Sequence, residues 1–221
     1  KKNGLEENTL VIFTSDNGPW LSYGTHAGST GIFKEGKGTS WEGGIRVPAI
    51  MQWKGKIPKG EVQEKMAMTI DLLPTIAHIT GAPLPQKTID GKNIWPLINM
   101  EEGAESPQEA YYIYYNKNEL QAVISGKWKL YFPHRYRTLP EDFIKPTNGI
   151  PVKYEMLTLE EMELYDLEND PSEQYNVIID HDEVVKKLQA LAEKAREDMG
   201  DALQKRVGRN VRLAKKYDSF E

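Results

Sequence analysis

Two short polar segments near the start of the chain contain the residues best suited to chemistry. The first is Asp16-Asn17, which follows the apolar run Asn8–Thr14. A carboxylate and an amide oxygen are hard donors of the kind that Ca²⁺ and Mg²⁺ prefer. In open α/β sheets, ligands bind beyond the carboxyl ends of the strands, where this pair would lie. The pattern predicts a metal site at Asp16 and Asn17, and a capped turn is the alternative interpretation.

The second segment is Gly36-Lys37-Gly38-Thr39. A lysine between two glycines can approach an anion without crowding, and it would act as a point charge toward a sulfate or phosphate oxygen. The segment is not a P-loop, because the Gly-x-x-x-x-Gly-Lys-Ser/Thr spacing is not met. Lys37 is therefore a candidate anion-binding and catalytic residue, and a solvated loop lysine is the alternative.

Three further residues are candidates for contacts with a substrate. His26 lies in the loop between the two segments, where it could line a pocket or position a leaving group. His134 and Arg135 follow a β-prone run and could reach into a cleft to contact the sugar or aryl part of a substrate. A surface position is the alternative for each of them.

The first half of the chain has elements that would position these residues. Asn8–Thr14 and Val47–Trp53 are short apolar runs, typical of strands buried on both faces of a parallel sheet. The long glycine-rich stretch Ser15–Gly44 between them is predicted to be a functional loop. Asp71–Thr80 reads as a helix, with Asp71 contributing at its N-terminus and Gly81 ending it.

The second half has a different pattern. Three short β-prone runs separated by turn residues predict an antiparallel meander, with Glu163–Leu167 as a further strand. Apolar residues at helical spacing predict a helix over 183–204, followed by a solvated basic segment, Lys205–Lys216. We therefore predict an α/β fold with two domains: 1–105, part of a catalytic α/β domain, and 106–221, an antiparallel-sheet subdomain with a packing helix. The three runs are Ala110–Tyr115, Leu120–Ser125 and Trp128–Phe132.

Composition excludes several classes of function. The 221 residues are 39% hydrophobic with a net charge of −5, which argues against broad nucleic-acid binding. No apolar run approaches the roughly 18–20 residues that span a bilayer, so we expect no membrane insertion. The chain has no cysteine, which excludes disulfides, thiolate metal sites and a cysteine nucleophile within it.

Taken in order, these segments resemble the type I sulfatases of the arylsulfatase A kind, in the alkaline-phosphatase-like superfamily. The resemblance rests first on the two segments that contain the polar candidates, Thr9–Pro19 and Gly36–Pro48. It continues downstream in Ile70–Ile76, Asp90-Gly91, Leu164–Leu167 and Asp170-Pro171, so that the whole ordered match covers about 170 residues. It implies the downstream part of an alkaline-phosphatase-like domain with a mixed or parallel sheet, followed by a small subdomain with an antiparallel sheet and a helix.

The resemblance also implies specific chemistry. Asp16 and Asn17 match two calcium ligands of the family, and Lys37 matches the lysine that contacts the sulfate group. The family hydrolyses sulfuric esters with a formylglycine, whose hydrate attacks sulfur and releases the alcohol. Calcium and basic residues hold the sulfate oxygens and offset the developing charge. The implied substrate is a sulfated carbohydrate or an aryl sulfate.

This sequence departs from the family in two respects. Formylglycine arises from the Cys or Ser of a Cys/Ser-x-Pro-x-Arg motif, which does not occur here, and the family's upstream paired aspartates are also missing. We therefore expect this chain to be the downstream portion of a sulfatase. Its implied partners are an N-terminal remainder that holds the formylglycine and a sulfate ester substrate.

Two other functions stay open from the sequence. A phosphodiesterase or phosphonate hydrolase of the same superfamily would typically use two Zn²⁺ held by Asp and His. A non-catalytic carbohydrate-binding relic would have lost its nucleophile altogether. Sulfatases of this kind occur in the periplasm, outside cells and in lysosomes, and the lack of cysteine favours a bacterial exported protein.

Overall fold

The computed structural model describes residues 2–211 and divides them into two compact units. The first unit comprises the described residues up to Gly18 together with Arg46–Glu109. The second comprises Pro19–Ile45 and the described residues from Ala110 onward. The predicted domain division between residues 105 and 106 stays a prediction.

Regular secondary structure occurs in both units, with short 3₁₀ turns between elements. The helices are α1 (Glu42–Ile45), α2 (Leu72–Thr80), α3 (Trp95–Ile98) and α4 (Asp182–Met199). The strands are β1 (Val11–Thr14), β2 (Ala49–Gln52), β3 (Tyr111–Tyr115), β4 (Glu119–Ser125), β5 (Trp128–Tyr131), β6 (His134–Thr138), β7 (Glu155–Leu159), β8 (Glu163–Asp166), β9 (Gly200–Asp201) and β10 (Arg206–Val207). None of the helices in residues 2–211 combines the length and apolar character that crossing a bilayer requires.

In the first unit, β1 and β2 lie where the sequence predicts strands, but not in the predicted environment. They pair antiparallel to each other, with Val11 opposite Gln52. Their apolar side chains are exposed: Phe13 is 61% and Ile50 63% accessible. The expectation of strands buried on both faces of a parallel sheet is therefore wrong for the described residues. The physical reason is that a two-stranded ribbon has no second layer to cover its faces.

Helix α2 confirms the predicted helix and its end, because Gly81 takes the left-handed conformation (φ 71°) that terminates helices. The predicted role of Asp71 is different. Its buried carboxylate accepts hydrogen bonds from the backbone N–H of Met68 (2.9 Å), the backbone N–H of Lys92 (2.8 Å) and the Gln108 side chain (2.6 Å). Asp71 therefore ties distant segments together instead of capping α2 with its side chain.

The second unit contains the predicted meander. Its four-stranded antiparallel sheet has the order β3-β4-β5-β8, and β6 pairs with β7 in a separate two-stranded sheet. Helix α4 packs on the four-stranded sheet, because its apolar stripe of Leu188, Leu191, Ala192 and Ala195 joins one buried cluster with Leu120, Val123, Leu130 and Leu164 of the strands.

Helix α4 ends five residues earlier than predicted. Gly200 (φ 82°) stops it, and β9 then pairs with β10. The buried Asp201 carboxylate accepts from Arg196 Nε at 2.8 Å, which fixes the turn after the helix. The predicted basic segment Lys205–Lys216 is described only in part: Arg206 and Val207 form β10, and the residues after 211 lie outside the described ones.

Candidate functional site

Asp16 and Asn17 follow the last residue of β1, in the first unit. Asp16 is exposed and Asn17 is half-buried. Ser15 Oγ donates to the Asn17 carbonyl oxygen (2.9 Å), and Asn17 Nδ2 donates to the Gly18 carbonyl oxygen (2.9 Å). Because the amide nitrogen donates to the Gly18 carbonyl, the amide oxygen is the atom of the Asn17 side chain that could ligate a metal ion. The turn thus presents one carboxylate and one amide oxygen.

This donor set fits a calcium ion in chemistry but supplies only part of a coordination shell. Ca²⁺ takes roughly six to eight oxygens. Across residues 2–211, no three or more His, Asp or Glu side chains are gathered so that they could hold a metal ion. Asp16 and Asn17 are therefore suited to be two ligands of a larger set.

Lys37 lies in the second unit, in a segment that we call the lysine loop (Lys34–Thr39). Its backbone is fixed on both sides. The Lys37 N–H donates to the Pro19 carbonyl oxygen at 2.9 Å. The Lys37 carbonyl oxygen accepts from the guanidinium of Arg137 on β6, at 3.1 Å from Nε and also from Nη2. The loop therefore holds the base of the Lys37 side chain in one place.

The two glycines beside Lys37 make this close approach possible. A Cβ on Gly36 would lie 2.6 Å from the Pro19 carbonyl oxygen. Gly38 has φ 88°, and a Cβ there would collide with the Arg137 guanidinium. The Gly-Lys-Gly pattern is thus explained by backbone packing on both sides of the lysine.

Glu35 gives the loop a second attachment to β6. Its carboxylate accepts from Thr138 Oγ1 at 2.6 Å, and burial raises the pKa of Glu35. Glu35 also has φ 58°, a left-handed conformation that costs a non-glycine residue about 1–2 kcal/mol. Strained residues of this kind cluster at functional sites. Two neighbouring residues of β6, Arg137 and Thr138, therefore hold the loop.

A buried ion network lies beneath the residues that follow the lysine loop. Lys129 of β5 is fully buried, and its Nζ contacts Glu42 Oε1 at 2.9 Å and Glu173 Oε1 at 2.8 Å. The backbone N–H of Glu42, at the start of α1, donates to Glu173 Oε2 at 2.7 Å. The hydroxyl of Tyr131 lies 2.6 Å from Glu173 Oε1 and 3.0 Å from the carbonyl oxygen of Ser40. The network joins α1 to the four-stranded sheet.

Burial perturbs the titration of several of these groups. Burial raises the pKa of Glu173, and the Lys129 ammonium partly opposes that rise. Burial is also the main cause that raises the pKa of Tyr131. Burial lowers the pKa of Lys34, whose Nζ lies 3.4 Å from the ring centroid of the fully buried Trp41. Glu173 and Tyr131, which are fully buried, therefore act as a structural anchor with little access to water.

The remaining predicted residues, also in the second unit, have different environments. His134 is buried: its Nδ1 donates to the Phe132 carbonyl oxygen (2.7 Å), and its Nε2 lies 3.3 Å from Ser40 Oγ. Burial lowers the pKa of His134, which favours the neutral ring. Arg135, the next residue along β6, is exposed. His26 is exposed as well, with Nε2 3.2 Å from the Thr147 carbonyl oxygen.

These positions show what the sequence analysis missed. Both ring nitrogens of His134 are used within the fold, so the ring supports Ser40, and its predicted substrate contact stays a prediction. Arg137 was not singled out, although it binds the lysine loop directly. Lys129 was not singled out either; a lysine between apolar residues of a strand is the signal that could have indicated a buried charge.

Known proteins with a similar sequence and fold are sulfatases. Arylsulfatase A of Homo sapiens is 38% identical over 179 residues, which is 79% of this chain and 34% of that protein. An N-acetylgalactosamine-6-O-sulfatase of Bacteroides thetaiotaomicron is 31% identical over 202 residues, 86% of this chain and 36% of that protein. The crystal structure of the PsFucS1 sulfatase from Pseudoalteromonas sp. matches with a TM-score of 0.72 at 25% identity, over 87% of this chain and 38% of that one.

The chain therefore belongs to the class of sulfatase C-terminal regions. This confirms the resemblance and the fold class that were inferred from the sequence. Residues 28–198 match the model of the N-sulphoglucosamine sulphohydrolase C-terminal family, and the chain belongs to that family. The chain spans about a third of the length of the relatives it matches.

Proposed function

We propose that the intact protein is a sulfatase, a hydrolase of sulfuric esters, and that this chain supplies Lys37 as its sulfate-binding cation. The observation that carries the proposal is the fixed backbone of Lys37, held by Pro19 on one side and Arg137 on the other. A lysine in a solvated loop would not require a backbone that is hydrogen-bonded on both sides. The identity to named sulfatases supports the same conclusion.

The role of Lys37 follows from charge. Cleavage of a sulfate ester places growing negative charge on the sulfate and leaving-group oxygens. A cation that is already in place stabilises this charge without reorganisation at the moment of reaction, which makes it more effective than a mobile one. The lysine loop provides that ordering through bonds within the second unit.

We further propose Asp16 and Asn17 as calcium ligands, with the other ligands and the formylglycine in an N-terminal remainder of the protein. When bound, calcium supplies positive charge that polarises the sulfate oxygens. The chain's own contribution is to hold two hard oxygens at the end of β1, in a turn that Ser15 fixes through its bond to the Asn17 carbonyl.

For the substrate we propose a sulfated carbohydrate or an aryl sulfate. Among the predicted contacts, the exposed His26 and Arg135 have side chains available to a ligand, whereas His134 would act through Ser40. The relatives include one named for an aryl sulfate and one for N-acetylgalactosamine 6-O-sulfate. The proposed location is the periplasm or the outside of a bacterial cell, with a lysosome as the alternative.

The test is Lys37→Ala in the intact protein, with the exposed Lys59→Ala as the matched control. Loss of one preorganised donor to the transition state lowers turnover of a sulfate ester by about 10²-fold or more. We expect that loss for Lys37→Ala and unchanged turnover for Lys59→Ala. Equal turnover of the two variants would remove Lys37 from the sulfate site.

The same assay distinguishes the alternative functions. Faster hydrolysis of a phosphodiester than of any sulfate ester would assign the protein to the phosphodiesterase group. Binding of carbohydrate by the intact protein without hydrolysis of either ester would indicate a non-catalytic relic.

A further inference from the structure

An aromatic side chain lies beside Lys37 and is exposed to solvent. Trp20 is 43% accessible, and Lys37 Nζ is 5.5 Å from its ring centroid. Tyr23 packs edge-on against Trp20, with ring centroids 5.0 Å apart and an interplanar angle of 74°. All three residues belong to the second unit. An indole surface open to water and an ammonium group therefore lie within the reach of one small molecule.

The backbone under this aromatic pair is firmly held. The Pro19 carbonyl oxygen accepts hydrogen bonds from the N–H of Lys37 and from the N–H of Leu21. These two bonds fix the backbone that flanks Trp20. Further along, the N–H of Thr25 donates to the Pro146 carbonyl oxygen (3.0 Å). The N–H of Val152 donates to the Ser22 carbonyl oxygen (3.0 Å). A rigid segment of this kind offers a preformed surface, which lowers the entropic cost of binding.

The contact with Lys37 leaves part of the Trp20 side chain exposed to solvent. At 5.5 Å the ammonium is within the range of a cation–π interaction, which orients the lysine. Nevertheless, nearly half of the indole remains in water, although burial of a large aromatic surface is favourable. An exposed aromatic side chain next to a fixed cation is the arrangement that holds an amphipathic ligand with a flat apolar face and an anionic group.

We propose that Trp20 is the residue of the substrate site that binds the ring of the sulfate ester. The sulfate binds Lys37, and the ring that bears it packs its flat face on the indole. The shared chemistry of the two ring types, a pyranose and an aryl group, is this apolar face. The inference rests on the sulfatase activity proposed above, and it adds that acyclic sulfate esters are poor substrates.

The experiment compares three esters with the intact protein: glucosamine 6-sulfate, phenyl sulfate and butyl sulfate. In Trp20→Ala we expect KM to rise about tenfold for the ring-bearing esters, with little change in kcat and with less than a twofold change for butyl sulfate. Trp20→Phe, which keeps a flat face, restores most of the affinity. Tyr175→Ala, at an aromatic residue that is 70% exposed elsewhere in the second unit, is the control and leaves KM unchanged.

Each outcome has a defined meaning. A KM change confined to one ring-bearing ester supports the proposal and identifies the ring as a pyranose or an aryl group. An equal rise for butyl sulfate overturns it, because Trp20 would then act only by orienting Lys37. An unchanged KM for both ring-bearing esters also overturns it, because another part of the protein would then cover Trp20.

A binding measurement separates this inference from the proposed activity. Saturation-transfer NMR with the same three esters reports contact between ligand protons and the protein without turnover. If the wild type hydrolyses none of the esters, the sulfatase proposal fails. The ring proposal then stands if the ring protons of glucosamine 6-sulfate or phenyl sulfate lose saturation in Trp20→Ala, and it fails if they do not.

Discussion

The two segments that carry the candidate site residues are held in contrasting ways. The bonds that the structure shows at Ser15–Gly18 join close neighbours, and Asp16 is exposed. The lysine loop is instead held by residues about one hundred positions away in sequence, Arg137 and Thr138. Long-range contacts thus hold the proposed anion-binding lysine, and a local turn holds the proposed metal ligands.

The largest expected effect is on the buried ion network beneath the residues that follow the lysine loop. Lys129→Met would leave the buried carboxylates of Glu42 and Glu173 without their common counterion. Removal of one partner from a buried ion pair typically costs about 3–5 kcal/mol. We expect a loss of that size in the free energy of unfolding, measured by urea denaturation with tryptophan fluorescence.

The control for this change lies two residues away. Lys127 forms a surface ion pair with Asp166 at 2.7 Å. Surface pairs contribute little to stability, so Lys127→Met should leave the urea midpoint almost unchanged. If Lys129→Met were equally mild, the buried network would not anchor α1 to the sheet, and long-range contacts around the lysine loop would contribute less to stability than the contrast between the two segments implies.

An intermediate effect is expected from the pH dependence of His134. Burial lowers the pKa of His134, so the folded state binds this proton less readily than the unfolded chain. The stability that the neutral ring contributes is present above its ordinary pKa of about 6.5 and is lost as the pH falls toward the lowered value. The slope is at most about 1.4 kcal/mol per pH unit.

The measurement is the free energy of unfolding at pH 7.5 and at pH 5.5, for the wild type and for His134→Gln. We expect the wild type to lose more stability on acidification than the variant. The carboxyl groups of Glu35 and Glu173, whose pKa values burial raises, act in the opposite direction in both proteins, so the difference isolates His134. His78→Gln, at an exposed position on α2, is the control and keeps the wild-type slope.

Elements with local periodic signals were predictable from the sequence. Helix α4 and the meander β3-β4-β5 follow from apolar spacing and turn residues, and only the end of α4 differs, where Gly200 takes φ 82°. The burial of β1 was not predictable, because an apolar run shows that a strand prefers cover and does not show whether the described residues supply it.

In the candidate site, too, the local features were predictable from the sequence and the long-range contacts were not. Lys37 and the pair Asp16-Asn17 could be selected from residue type and flanking glycines. The contacts of the lysine loop with Arg137, and of Glu42 with Glu173, join residues 100 and 131 positions apart. Such pairings arise from tertiary packing, and no local pattern encodes them. The sequence therefore indicates the candidate chemical groups, and the structure shows what holds one of them in place.

The smallest expected effect on folding is at Asp16. Because its side chain is exposed and its turn is fixed by Ser15, Asp16→Ala should change the free energy of unfolding by no more than about 0.5 kcal/mol in the presence of a chelator.

A ligand that binds the folded state alone raises stability with its concentration. Added calcium should therefore raise the melting temperature of the intact wild type and have a much smaller effect on Asp16→Ala. Asp90→Ala, at another loop aspartate of the first unit, is the control and should keep the wild-type response. An equal calcium response in Asp16→Ala would remove Asp16 from the ligand set, and a large loss of stability without calcium would show that its turn is held by more than local bonds.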